Sequence, residues 1–164
     1  MIVNNSSLKP ENEKFLINWS LKKMLVLRIV YIILGLFCFG VVIYKFINEN
    51  VIDLTYIIVG IFFIFFVLYS KVMVKKMFRK NSYLDVKYHY QFEADKIVIS
   101  AKMENSSGTT EFKYDFFDFY YVTDDAIYLK AKAKKYFYIV NNDGYETGSV
   151  EDLVKLLEGK VTKK

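Results

Sequence analysis

Ile29–Tyr44 reads IVYIILGLFCFGVVIY and Leu54–Ser70 reads LTYIIVGIFFIFFVLYS, 16 and 17 residues without a charged side chain. Met24–Leu27 extends the first run upstream past Arg28, and Phe46 and Ile47 extend it downstream past Lys45. Val72, Met73 and Val74 lengthen the second past Lys71. A helix needs about 20 apolar residues to cross the hydrocarbon of a bilayer, and a terminal Arg or Lys can reach back to the headgroups. Neither run carries a polar stripe at helical spacing, so neither looks like the surface helix of a water-soluble domain. A cleaved signal peptide fits the first run poorly, because it is too long for an h-region and no small-residue cleavage site follows it. The second run starts after only nine residues, Lys45–Asp53. The pair predicts a transmembrane hairpin over residues 24–75, with spans at about 25–47 and 52–74.

Charge gives the hairpin a direction. Lys14, Lys22, Lys23 and Arg28 precede or open the first span, and Lys71, Lys75, Lys76, Arg79 and Lys80 close or follow the second. The connecting loop holds only Lys45, beside Glu49 and Asp53. The excess of Lys and Arg on the cytoplasmic side of membrane proteins then predicts a multi-pass protein of the cell membrane with both termini in the cytoplasm. Tyr31, Tyr44, Tyr56 and Tyr69 are expected near the headgroups as an aromatic belt.

The composition agrees. The chain is 54% hydrophobic and 18% aromatic with a single proline, and the apolar excess is concentrated rather than spread. Its richness in Lys, Asn, Ile, Tyr and Phe suggests the A+T-rich coding bias of a low-GC bacterium. Residues 1–80 hold 11 Lys and Arg against 4 Asp and Glu, whereas residues 81–164 hold 12 against 14. A nucleic-acid-binding domain would carry its basic surplus in the folded module. Here the surplus borders the apolar runs, where anionic headgroups attract it, so the lipid bilayer is the expected partner and nucleic acid is not. One cysteine, Cys38, and one histidine, His89, make neither a disulfide nor a metal-ligand pattern.

Residues 1–23 form an N-terminal cytoplasmic or interfacial segment. Pro10, Glu11 and Glu13 can open a short helix with Phe15, Leu16 and Trp19 on one side. That helix either lies on the inner membrane surface or packs on the C-terminal domain.

Beyond Lys80 the apolar period becomes two. Over Asp85–Glu93, Val86, Tyr88, Tyr90 and Phe92 alternate with Lys87, His89, Gln91 and Glu93, which marks a strand with one buried and one wet face. Ala94-Asp95 turns into a second strand carrying Ile97, Ile99, Ala101 and Met103. Asn105-Ser106-Ser107-Gly108 reads as a loop. Phe112 and Tyr114 sit on a third strand, and Phe117, Phe119 and Tyr121 point one way on a fourth. Asp124-Asp125 turns into Ile127, Leu129 and Ala131, followed by a sixth strand at Tyr136–Val140. A C-terminal helix follows: Ser149 and Asp152 have capping-box spacing, Val150, Leu153, Val154 and Leu157 share a face, and Gly159 ends it. The expected fold class is an α+β membrane protein, in which the hairpin carries an antiparallel sheet or half-barrel over residues 81–164, closed by that helix. This is a pleckstrin-homology-like outline.

Two spans, then Tyr90-x-Phe92, then Tyr114 and the run Phe119-Tyr120-Tyr121-Val122-Thr123-Asp124-Asp125-Ala126-Ile127-Tyr128-Leu129, then Tyr138-Ile139-Val140, resemble the bacterial YcxB-like proteins. The similar portion is roughly the C-terminal half, and the hairpin matches in arrangement. Where that domain often runs into a Pro-Lys or Pro-Arg step, Asn141-Asn142-Asp143-Gly144 stands here. The family is of uncharacterised function, so the resemblance implies an architecture and no catalytic residue.

Candidate contact residues fall in two groups. Lys130, Lys132 and Lys134 recur every second residue with Lys135 beside them, a row that could meet anionic lipid or a phosphorylated ligand, or simply solvate an edge strand. If Phe117, Phe119 and Tyr121 face the core, then Phe116 and Tyr120, with Tyr128 as a further candidate, form an apolar patch on the other side. It would be open to a partner, or covered by the N-terminal segment or the C-terminal helix. His89 stands outward without a legible partner or cleft, and Cys38 is a small apolar side chain in mid-span. No catalytic residue, cofactor or metal ligand is expected. The expected function is a non-enzymatic membrane-anchored binding or regulatory protein. Its partner at the domain is an anionic lipid, an unidentified protein or, in a homo-oligomer, a second copy. The alternative is a self-protection (immunity) protein against a membrane-active peptide or toxin, a role that some two-span proteins with pleckstrin-homology-like domains play.

Overall fold

The computed structural model describes residues 1–80, 86–103, 106–132 and 137–164, so expectations resting on Asp85, Asn105, Lys134, Lys135 or Tyr136 lie outside the described residues. The chain forms two compact units, Lys14–Asn81 and a second made of Met1–Glu13 with Ser82–Lys164.

In the first unit, α2 (Leu25–Glu49) and α3 (Leu54–Lys80) form the hairpin, and both are long and apolar enough to cross a membrane. Asn50, in the left-handed region at φ 53°, ends α2 by donating its N–H to the Phe46 carbonyl. The Asp53 carboxylate opens α3 by accepting from the Thr55 N–H at 3.1 Å and pairs with Lys45 at 2.9 Å, so the loop's one cation is neutralised in place. The helices meet along a narrow seam with Gly35 and Cys38 on α2 and Gly60, Val67, Ser70 and Val74 on α3. Small residues let the backbones approach: a Cβ on Gly60 would stand 3.1 Å from the Phe39 ring and 3.3 Å from the Cys38 Cβ. Tyr31 packs at this seam, stacked on Phe63 at 5.6 Å and edge-on to Phe66 at 4.8 Å.

The second unit holds nine strands among its described residues, in two sheets. One has the order β4-β3-β2-β1-β8, built from β1 (Ile2–Ser7), β2 (Lys87–Phe92), β3 (Lys96–Met103), β4 (Ser106–Lys113) and β8 (Tyr145–Thr147). The other has the order β7-β6-β5-β9, from β5 (Phe117–Val122), β6 (Ala126–Ala131), β7 (Phe137–Asn141) and β9 (Thr162–Lys163), the last parallel to β5. Tyr90, Phe92, Ile97, Ile99, Ile127 and Leu129 meet in one core, as the alternation predicts. Helix α4 (Val150–Leu157) closes it with Leu153 and Leu157, and Ser149 caps it by accepting from the Asp152 N–H at 3.2 Å.

Four features differ from the sequence expectation. The N-terminal stretch supplies β1, which lies inside the first sheet between β2 and β8, so this compact unit is not confined to residues 81–164. Ser106, Ser107 and Gly108 are not a loop: they pair with Met103, Lys102 and Ala101 as the start of edge strand β4. Tyr114 leaves the strand for a 3-10 turn, Tyr114–Phe116, where its hydroxyl donates to the Glu93 carbonyl at 2.6 Å. The register of β5 against β6 shifts between Phe117 and Phe119, a bulge at Asp118. Strand side chains alternate, so one extra residue exchanges the faces beyond it. Phe117 and Tyr120 therefore enter the core together, while Phe119 turns away with Tyr121, edge-on at 5.3 Å.

Candidate functional site

Two polar assemblies stand out in the strand unit, one open and one closed. The open one is the outer face of the five-stranded sheet. The pairings that bury Tyr90 and Ile99 turn their neighbours outward in cross-strand rows, Asn5–His89–Ser100–Thr109 and Ser7–Lys87–Lys102–Ser107. These rows line a shallow groove of about 660 Å³. His89 sits in its middle with both ring nitrogens engaged: Nδ1 lies 2.7 Å from Asn5 Oδ1 and Nε2 lies 3.1 Å from Gln91 Nε2. Asn5 and Gln91 thus hold the imidazole ring in place from its two sides. Ser100 and Thr109 share a hydrogen bond at 2.9 Å. Lys87 and Lys102 face each other across the ladder, an opposition of like charges that costs stability, and neither has an ion-pair partner among the described residues. One row beyond His89 the charge is balanced, since Glu111 pairs with Lys96 at 3.0 Å.

The closed assembly ties the N-terminal segment into the unit. Asn4 and Ser6 are buried polar residues of β1, and both find partners on β7. Asn4 Nδ2 donates to the Asn141 carbonyl at 2.8 Å, and Ser6 Oγ accepts from the Asn141 N–H at 2.8 Å and donates to Asn4 Oδ1 at 2.5 Å. Gly144 sits so close to β1 that a Cβ would fall 2.0 Å from the Asn5 carbonyl oxygen. Pro10 opens α1 (Pro10–Lys23), where Asn12 acts as the third helical residue of a capping box. Its Oδ1 accepts from the Lys9 N–H at 2.8 Å. Fully buried, Asn12 Nδ2 also donates to Asp125 Oδ2 and to the Tyr128 hydroxyl, each at 3.1 Å. Burial pushes the Asp125 carboxyl up, but hydrogen bonds from Thr123, Tyr128 and Asn12 outweigh it and hold the group below the usual carboxylate range. Burial drives the Tyr128 phenol upward, and Tyr114 is pushed up to about 12 by burial first and then by Asp95 and Glu93.

The residues singled out from the sequence are not brought together. Lys130 lies on β6, an interior strand whose six residues are all buried, so it is neither part of an exposed row nor on an edge strand. Its ammonium donates to the Ala131 carbonyl at 2.8 Å and lies over the Phe137 ring. Lys132 is exposed, and Lys134 and Lys135 lie outside the described residues. The open apolar patch is also corrected. The bulge carries Tyr120 to 0% exposure in the cluster that holds Leu153 and Leu157 of the C-terminal helix, and Phe116 packs half-buried on the same cluster, stacked on Phe112 at 4.3 Å. The Lys87–Lys102 opposition was legible as two lysines on outward strand positions, but only the register sets them face to face.

Among the described residues no three His, Cys, Asp or Glu side chains gather as a metal site requires. No family model matches the chain, and comparison with curated proteins and with solved structures returns no match.

Proposed function

We propose that the protein is a non-enzymatic, membrane-anchored binding or regulatory module, with the hairpin in the bilayer and the strand unit on the cytoplasmic side. The supporting observation is the surface of the two long helices. Among the described side chains of α2 and α3, twenty-four large apolar ones are exposed, including Phe37 at 66% and Leu68 at 72%. Leaving that many side chains in water, at about 1–2 kcal/mol each, would cost of order 30 kcal/mol. A typical domain has only about 5–15 kcal/mol of net stability, so lipid is the solvent that suits this surface. Only 11% of the apolar window of α2 and 22% of that of α3 is buried, which does not suit the core helix of a soluble domain. The cytoplasmic placement rests on the lysines and arginines flanking both helices, and the Lys45–Asp53 pair leaves the loop no unpaired cation of its own. In this reading the three-plus-three strand meander with its C-terminal helix is pleckstrin-homology-like in outline, and the YcxB-like resemblance accords with the same arrangement.

The test is side-specific thiol labelling of intact cells in a Cys38→Ser background, with Asn50→Cys reporting the loop and Ser107→Cys the strand unit. The expected result is labelling of Asn50→Cys by an impermeant maleimide from outside, and of Ser107→Cys only after permeabilisation. Labelling of Ser107→Cys from outside reverses the orientation, and recovery of the chain in the alkaline-soluble fraction removes the membrane reading altogether.

A further inference from the structure

We infer that the Lys87–Lys102 row is a docking site for the phosphate of an anionic membrane lipid. The inference rests on the membrane-anchored reading and adds the ligand. Three observations carry it. First, Lys87 and Lys102 are directly opposed on adjacent antiparallel strands, with Ser7 and Ser107 at the two ends of the same row. Opposed side chains start about 5 Å apart, so two lysines there repel each other unless an anion lies between them. Second, the adjacent row adds the Ser100 and Thr109 hydroxyls and the His89 ring, and the eight residues of the two rows include no carboxylate. Two ammonium groups amid hydroxyls complement the single negative charge and acceptor oxygens of a phosphodiester. Asp85 and Glu104, two residues from Lys87 and Lys102 in sequence, lie outside the described residues.

Third, the separation from the hairpin along the sequence is short. Strand β1 ends at Ser7, shortly before α1 starts at Pro10, and Lys87 follows the last residue of α3, Lys80, by seven positions. Seven residues span at most about 25 Å, so Lys87 is tethered within reach of the headgroup layer bordering a membrane-embedded α3. A lipid phosphate, concentrated at that surface, is therefore favoured over a soluble anion.

The test is lysine footprinting of the full chain in nanodiscs, reading acetylation of each amine by mass spectrometry. In discs of mixed phosphatidylcholine and phosphatidylglycerol, Lys87 and Lys102 should react about five-fold more slowly than in phosphatidylcholine alone, the protection that about 1 kcal/mol per lysine gives. Lys113 and Lys155 should be unchanged. Lys87→Gln should abolish the protection of Lys102 without lowering the melting temperature, because it removes a repulsion. Equal rates in the two discs overturn the inference. So does equal protection by millimolar inorganic phosphate in phosphatidylcholine discs, which makes the row a soluble-anion site, and so does uniform protection of every lysine, which is bulk electrostatics. Failure of the membrane reading looks different: the chain would not co-elute with discs of either composition.

Discussion

Replacing Tyr120 by Ala tests the bulge on which the strand unit's core depends. With Phe117 and Tyr120 both inward, the Tyr120 ring is fully buried beside Leu153 and Leu157. A buried aromatic side chain covers about 150–200 Å² of ring surface, worth about 4–5 kcal/mol by transfer, and large aromatic-to-alanine changes in cores cost about 3–5 kcal/mol. In a unit of roughly 100 residues each kcal/mol moves the melting temperature by about 4–8 °C, so Tyr120→Ala should melt about 15–30 °C lower. Near-ultraviolet circular dichroism of the full chain in neutral detergent, which reads tyrosine packing rather than helix content, is the assay. Tyr120→Phe separates ring from hydroxyl. The hydroxyl is buried without a hydrogen-bond partner among the described residues, so removing it should be neutral or stabilise by about 1 kcal/mol. The neighbouring Tyr121→Ala, half-buried on the other face, should cost only about 1 kcal/mol. A Tyr120→Ala protein melting within about 4 °C of the wild type, the size of a 1 kcal/mol effect, would refute the bulge and return Tyr120 to an open face.

Deleting residues 1–8 should remove the near-ultraviolet signal of the strand unit while leaving the chain in the membrane fraction, because β1 is paired on both sides; retention of the signal would make β1 dispensable. Gly144→Ala attacks the same seat by steric clash with the Asn5 carbonyl, and a variant as stable as wild type would show that the turn does not pack on β1. Gly60→Leu should push the helices apart at Phe39 and Cys38 and speed alkylation of Cys38 by a permeant maleimide several-fold; an unchanged rate would count against the seam. The Asp125 carboxyl is held below its unfolded value, so its hydrogen bonds stabilise the fold above about pH 4 and that stabilisation is lost as pH falls through the folded value. The stability gap between wild type and Asp125→Asn should therefore be widest near neutrality and close in acid, and a gap constant with pH would show that the depression is absent.

Much of the fold was legible because apolar periodicity reports burial directly. Val86, Tyr88, Tyr90 and Phe92 alternate with polar residues since one face of β2 is core, and Val150, Leu153, Val154 and Leu157 share a helix face for the same reason. The hairpin was legible because both helices are apolar all round, with no polar stripe at helical spacing to break the two runs. The failures occur where burial and polarity part company. Strand β1 reads IVNNSS, which looks like a loop, yet Asn4 and Ser6 are buried because their partner Asn141 comes from the far end of the chain. Strand β4 reads SSGTTEFK and is almost wholly exposed, so it carries no alternation to detect; only its partner β3 reveals it.

The candidate site was less legible than the fold, and for one physical reason. A surface pair such as Lys87 and Lys102 is defined by register, which is a relation between strands, whereas Lys130, Lys132, Lys134 and Lys135 are neighbours in sequence. Proximity in sequence made the second group conspicuous, but the structure hides its first member on an interior strand. Opposed lysines are disfavoured as sheet pairs, so such a pair costs stability that a ligand can offset. The same reasoning separates this row from the Lys96–Glu111 pair on the same face, whose charges already satisfy each other and leave nothing for an anion to gain.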